Sequence, residues 1–207
     1  MRGQFPKYRD KLSPRTESAS LKARVGANQT KTLVTIAFLG ALTALFQSAG
    51  GFLPGPGYLL SPLSTAPVVL AALISLRSGF TAYALSIVLL LLIQPSELIV
   101  FPFTTGLLGL ALGFSIARSK NRIQIILFSA LALWAGIALV LYAFRFPLLG
   151  PSVALRFDIA TATYIFLFSL LYSAIWTEIS LRLLARLRKS VLSPQIRPLL
   201  KNGEDDE

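Results

Sequence analysis

The stretch IQIILFSALALWAGIALVLYAF, residues 123–144, runs from Ile123 to Phe144 without a charged side chain. At about 1.5 Å per residue a helix of this length crosses the roughly 30 Å hydrocarbon core of a bilayer. In hydrocarbon no water meets the backbone, so the segment must close its own hydrogen bonds as a helix. Five further apolar stretches accompany it, at residues 33–49, 58–76, 79–93, 98–117 and 159–180. This predicts an all-α polytopic membrane protein with six transmembrane helices. Composition agrees: 54% of residues are hydrophobic and only 14% charged, far from the soluble average.

Three sections follow along the chain. Residues 1–30 are basic and polar, with Pro6 and Pro14, and read as a mostly disordered cytoplasmic tail whose basic side chains can lie on anionic lipid. Residues 31–190 form the six-helix transmembrane domain. Residues 191–207 form a C-terminal cytoplasmic tail ending in Glu204-Asp205-Asp206-Glu207.

Orientation follows from the basic residues. The N-terminal tail through Lys31 holds eight, the turn after the second span one, the turn after the fourth three, and the C-terminal segment six. All but Arg145 and Arg156 thus fall on one side of a six-span thread. Excess Lys and Arg marks cytoplasmic loops, so both termini are placed in the cytoplasm of a multi-pass cell-membrane protein. The net charge of +11 flanks helices and fills tails, which argues against a nucleic-acid partner.

The chain has no Cys and no His. Disulfides, thiolate nucleophiles, iron–sulfur ligation, serine–histidine hydrolysis, His-ligated zinc and His-ligated haem are excluded by composition. Only Glu97 and Asp158 could form a carboxylate dyad on the outer side, a thin basis for acid–base chemistry, so no catalytic, metal or cofactor role is assigned. No G-x-x-x-x-G-K-[ST] phosphate loop is present.

The outer side has few charges, which makes each informative: Glu97, Arg145, Arg156 and Asp158. Two readings stand. The arginines pair with the carboxylates, or a guanidinium fork holds an anionic group of a ligand. Tyr58, Tyr142 and Tyr164 lie near outer helix ends, where Tyr commonly anchors at the interface. Gln47 and Gln94 lie at similar depth, where an amide in hydrocarbon needs partners. The second stretch is interrupted by Pro62 and Pro67, and broken backbone at membrane depth is tolerated where it is buried or lines a cavity. The run Gly50-Gly51-Phe52-Leu53-Pro54-Gly55-Pro56-Gly57 ends the first helix after Ala49 and could cover such a cavity as a lid. Candidate substrate-binding residues are therefore Gln47, Tyr58, Gln94, Glu97, Tyr142, Arg145, Arg156, Asp158 and Tyr164. On the inner side Glu178 and Arg182 are spaced for a helical ion pair.

Small residues form strips that allow close helix approach: Ala37-x-x-x-Ala41 and Gly40-x-x-x-Ala44 in the first span, and Gly106, Gly109 and Gly113 in the fourth. Most such strips pack internally, whereas one facing outward marks a docking surface.

Size, six spans, cytoplasmic termini, the Ala37/Ala41 strip, the loop 50–57 and the run Phe101-Pro102-Phe103-Thr104-Thr105-Gly106-Leu107-Leu108-Gly109 resemble the substrate-binding (S) components of energy-coupling factor transporters. In style the chain is also similar to uncharacterised bacterial six-span membrane proteins. The resemblance covers residues 32–187. It implies a non-enzymatic subunit that captures a vitamin or related small molecule at the outer face. It implies that Ala37 and Ala41 dock on a transmembrane coupling subunit and that partner ATPase subunits supply energy. The alternative function is a non-transporting membrane scaffold or assembly protein acting through the basic N-terminal tail.

Overall fold

A computed structural model describes the backbone of residues 14–53, 55–146 and 158–201, and the side chains of 29–53, 55–57, 59–146 and 158–186. The described residues are helical apart from short connections, with no strand among them. The chain divides into two compact units, Met1–Thr35 and Ile36–Glu207. In the first, the described residues are helical from Pro14, and the Thr35 hydroxyl donates to the Lys31 carbonyl at 2.9 Å. Helix therefore occupies part of the section read above as a tail. Residues 1–13 lie outside the described residues, as do 202–207.

Among the described residues the α-helices are α1 (Pro14–Phe52), α2 (Gly57–Leu60), α3 (Thr65–Ile74), α4 (Leu76–Ile93), α5 (Glu97–Val100), α6 (Thr105–Arg118), α7 (Arg122–Ala138) and α8 (Ile159–Lys201). Tight 3-10 turns join α2 to α3 (Ser61–Ser64) and α5 to α6 (Phe101–Phe103), and α7 ends in a π-helical turn (Leu139–Ala143). Helix α8 continues through Pro194 and Pro198 to Lys201, beyond the limit of 190 read from the sequence. A proline removes one helical hydrogen bond and bends the helix without forbidding it.

Among the described residues five segments are long and apolar enough to cross a membrane: Gln29–Phe52, Leu76–Ile93, Glu97–Arg118, Arg122–Ala143 and Ile159–Arg186. They mark a multi-pass membrane protein. The sixth expected span is different. Residues 57–74 break into α2, the turn Ser61–Ser64 and α3, because Pro62 and Pro67 each remove a backbone donor. Helix α3 has 10 residues, about 15 Å of rise, or roughly half the hydrocarbon thickness. Its short length is tolerated because protein surrounds it: Thr65, Pro67, Val68, Val69, Ala71 and Ala72 are all buried.

The first helix also departs from expectation. It runs through Gly50 and Gly51 to Phe52 instead of stopping at Ala49. The connection is then short. The Leu53 amide donates to the Ala49 carbonyl at 2.9 Å, and the Gly57 amide to Leu53 at 2.8 Å. Gly55 takes φ +91, a left-handed value suited to glycine.

Helix α3 lies against both α4 and α6. The small strip of the fourth span faces it. A side chain at Gly113 would overlap the Ala72 methyl, and a Cβ at Gly109 would sit 2.7 Å from Val68 Cβ. On the other side a Cβ at Gly79 of α4 would sit 2.7 Å from Ala72 Cβ. Ala72 is thus held between two glycines, and three helices approach closely at one methyl group. Dispersion between close-packed backbones stands in for the hydrophobic drive that lipid does not supply. The Gly40 and Ala44 strip of α1 also packs inward, and the Ser86 hydroxyl donates to the Gly40 carbonyl at 3.0 Å.

The outer surfaces of the long helices are apolar. Leu33, Val34, Phe38 and Leu45 on α1 and Leu167, Phe168 and Leu171 on α8 are exposed. A polar solvent disfavours such a surface and a lipid solvent does not. The interior instead collects small hydroxyls: Thr43, Ser86, Ser115, Ser129, Ser169, Thr177 and Ser180 are buried. Thr43, Ser115, Ser169 and Thr177 donate to carbonyls on their own helices, which satisfies the hydroxyl without a partner helix, while the Ser86 hydroxyl is shared between the Ala82 carbonyl of its own helix and Gly40 of α1.

Replacing Gly113 by Leu is expected to destabilise the bundle by about 1–3 kcal/mol, because Ala72 cannot retreat from α4. The adjacent exposed Phe114→Leu is expected to stay within about 0.5 kcal/mol of wild type. Thermal unfolding in detergent checks both, and equal melting temperatures for the two variants would contradict the three-helix contact.

Candidate functional site

Gln47 sits on the buried face of α1, one helical repeat beyond Gly40 and Ala44, and is 2% exposed. Its amide nitrogen donates to Glu97 Oε2 at 2.7 Å. Its amide oxygen accepts from the Ser64 hydroxyl at 2.8 Å and from the Thr105 hydroxyl at 2.8 Å. One side chain thereby ties together α1, the turn before α3, the start of α5 and the start of α6. The Thr65 hydroxyl adds a bond to the Thr105 carbonyl at 3.3 Å.

The chemistry of this node sets its orientation. An ionised carboxylate only accepts, so the NH2 end of Gln47 must face Glu97. Both lone pairs of the amide oxygen are then occupied by hydroxyl donors. Glu97 itself is half-buried, in the first turn of α5, with its backbone amide on the Gln94 carbonyl at 3.0 Å. Among the described residues the ion pairs join Glu178 to Arg122 and to Arg182, so Glu97 makes none there. A carboxylate at the end of an apolar bundle, held by one neutral amide, is poised to meet a donor or cation from outside.

The other candidates fall in several places. Gln94 closes α4, and its amide nitrogen donates to the Ser96 hydroxyl at 3.1 Å. Gln94 also lies so close to Gly51 that a Cβ there would overlap its amide. Glycine at position 51 therefore lets the end of α1 meet the end of α4, beside the node. Tyr142 is half-buried against the core cluster that contains Val69, Leu141 and Ile165. Tyr164 is 73% exposed on α8 and is not brought to the node. Arg156 and the Tyr58 side chain lie outside the described residues.

Arg145 and Asp158 are exposed and are not ion-paired to each other or to Glu97. Each instead complements a helix end. Arg145 takes φ +52 directly after the α7 helix and its π-helical turn, the left-handed position that commonly ends a helix. Its cation lies at the negative end of the helix dipole. Asp158 precedes α8 and accepts from the Thr161 amide at 3.0 Å and the Thr161 hydroxyl at 3.1 Å. Those Thr161 bonds hold its carboxyl below the ordinary carboxylate range. Negative charge at a helix N-terminus is favourable for the same reason.

The small strip of Ala37 and Ala41 lies on the exposed face of α1, opposite Gly40 and Ala44. A groove of about 300 Å³ lies elsewhere, between α7 and α8, lined by Leu131, Trp134, Ile159, Ala162, Thr163 and Phe166. Its walls are apolar and it does not include Gln47 or Glu97. The Trp134 indole there donates to the Ala162 carbonyl at 3.1 Å.

Sequence reasoning missed Ser64, Thr65 and Thr105. The signal was present in Ser61-Pro62-Leu63-Ser64-Thr65, hydroxyls beside the proline that breaks the second span, and in Thr104-Thr105 at the head of the fourth. Among the described residues no cluster of carboxylates could hold a metal ion.

Gln47→Leu is expected to lower stability by about 1–3 kcal/mol, because it leaves the Glu97 carboxylate and the Ser64 and Thr105 hydroxyls without their amide. The double variant Gln47→Leu/Glu97→Leu is expected to recover part of that loss, since no buried charge then lacks a partner. Melting curves of the two variants check this, and simple additivity of the two single losses would contradict the node.

Compared with family models, with curated proteins and with solved structures, the chain finds no match.

Proposed function

We propose that this chain is the substrate-capture subunit of an energy-coupling factor type importer in a bacterial cell membrane. It crosses six times with both termini in the cytoplasm, the sixth crossing being the broken segment 57–74 embedded among the long helices. The observation that carries the reading is the node of Gln47, Glu97, Ser64 and Thr105 at the outer end. A bundle that only needed to fold would be served by apolar residues there, since buried polar groups cost free energy and return at most a modest net gain. The node keeps one carboxylate at its half-exposed edge. A small, partly apolar molecule of vitamin size would meet that carboxylate with its polar end, and Tyr142 would supply an apolar wall. Gln94, which closes α4 beside the node, and Arg145 and Asp158 at neighbouring helix ends would add polar contacts in this account.

The exposed Ala37 and Ala41 strip supplies the second part. Small residues on a lipid-facing helix surface allow another helix to approach closely. A transmembrane coupling subunit would seat there, and its ATPase partners would supply the energy that this chain cannot. The chain carries no phosphate loop of its own.

Ala41→Leu tests the proposal. Ala41 is exposed, so the larger side chain fits without disturbing the core. Wild type purified from native membranes is expected to bring coupling and ATPase subunits with it. Ala41→Leu is expected to melt at the wild-type temperature while retaining roughly tenfold less of those subunits, as a steric misfit of about 1–3 kcal/mol would give. Folded wild type that brings down neither subunit would contradict the assignment.

A further inference from the structure

The end of the bundle opposite the node carries a second constellation, which the capture reading does not use. Glu178 of α8 bridges two guanidiniums. Its Oε2 accepts from Arg122 Nη1 at 3.3 Å, and its Oε1 accepts from Arg182 Nε at 2.8 Å. Arg122 starts α7 and Arg182 lies one turn beyond Glu178, so the carboxylate fixes two cations from different helices side by side. The carboxylate is the more enclosed partner, 39% exposed against 70% and 73% for the two arginines. Each guanidinium carries five N–H donors and spends one here on Glu178, which leaves the remaining donors directed outward.

The charge around the pair is unbalanced. Arg118, Lys120 and Arg186 are also exposed at this end, so among its described residues basic side chains outnumber the carboxylate of Glu178. The start of α7 adds to the positive field. Asn121 caps it by accepting from the Ile123 amide at 3.0 Å, and no acidic residue occupies the first turn. Arg122 at that position opposes the helix dipole. Such an arrangement is stabilised by an anion from outside the chain.

The apolar neighbours say what kind of anion. Exposed Ile123 follows Arg122, and exposed Ile175 and Ile179 lie within a turn of Glu178. Arg122 begins the apolar span of α7, and Arg182 lies near the end of that of α8. A molecule resting here meets cationic forks at one level and aliphatic surface at the next. Guanidinium pairs bind phosphate in a bidentate fashion, and phospholipid phosphates lie at this depth. We infer that Arg122 and Arg182, positioned by Glu178, bind the headgroup phosphate of an anionic phospholipid at the basic end of the bundle.

Native mass spectrometry of the purified full chain, titrated with phosphatidylglycerol or phosphatidylcholine, tests this. Wild type is expected to bind phosphatidylglycerol more tightly than phosphatidylcholine. Arg122→Gln and Arg182→Gln are each expected to weaken phosphatidylglycerol binding about fivefold, and the double variant about 25-fold. Arg77→Gln, an exposed cation in the first turn of α4, is expected to change it less than either. The single variants decide the matter if the double variant does not fold. Equal affinity for the two lipids, unchanged binding in the arginine variants, or an equal loss in Arg77→Gln would overturn the site. So would displacement of the lipid by an equimolar concentration of inorganic phosphate, which would make it a site for a soluble anion.

Discussion

The structure depends on how a bundle in hydrocarbon satisfies a buried amide. Gln47 cannot reach water, and every polar atom it buries must find a protein partner. It finds Glu97, Ser64 and Thr105, which belong to three different parts of the chain. These bonds join the end of the first helix to the broken second segment and to the start of the fourth span. The bonds to the two hydroxyls contribute only about 0.5–1.5 kcal/mol net each, and the bond to the Glu97 carboxylate about 1.5–3 kcal/mol, so the node adds modestly to stability by strength alone. Its larger effect is on specificity: few alternative packings leave all four groups satisfied.

A second constraint is steric. Helix α3 is too short to face lipid at both ends, and it is buried by α4 and α6. Gly79 and Gly113 let those helices close on Ala72. The broken segment is thereby held rigidly at its inner half, while Ser64 and Thr65 are presented at its outer half. Proline placement, glycine strips and hydroxyl position are linked: the prolines shorten the helix, the glycines bury it, and the freed turn carries the groups that meet Gln47. In the proposed function this linkage places a carboxylate and an amide at the mouth of the bundle without any flexible domain.

The long helices were legible because hydropathy over a long window integrates many weak preferences, as in residues 123–144. The inward strip of Gly106, Gly109 and Gly113 and the pair of Glu178 with Arg182 were legible for a similar reason, since helical spacing alone places those side chains. The length of the second span was harder to read. Pro62 and Pro67 announced a break, but only the surrounding helices decide whether the remaining ten residues count as a span. The end of the first helix was misread because glycines were weighed by intrinsic preference. Gly51 continues the helix, and its lack of a side chain leaves the space that the Gln94 amide fills. At the site, Gln47 stood out as an amide at its depth and Glu97 as one of few outer charges, but their bond spans a separation of 50 positions that no local pattern encodes. For Arg145 and Asp158 pairing with an opposite charge and contact with a ligand anion both stood open; Arg145 follows a helix end and Asp158 caps the start of α8, and neither is ion-paired among the described residues.

The account rests on the Gln47 and Glu97 node opening to the outside of the cell while the Arg122 and Arg182 end faces the cytoplasm. The cysteine-free sequence makes this directly measurable with single cysteines and a membrane-impermeant maleimide. Ser96→Cys, next to Glu97, is predicted to label in intact cells, and Lys120→Cys is predicted to label only after the membrane is permeabilised. Labelling of both from the same side, or of Ser96→Cys only after permeabilisation, would contradict it.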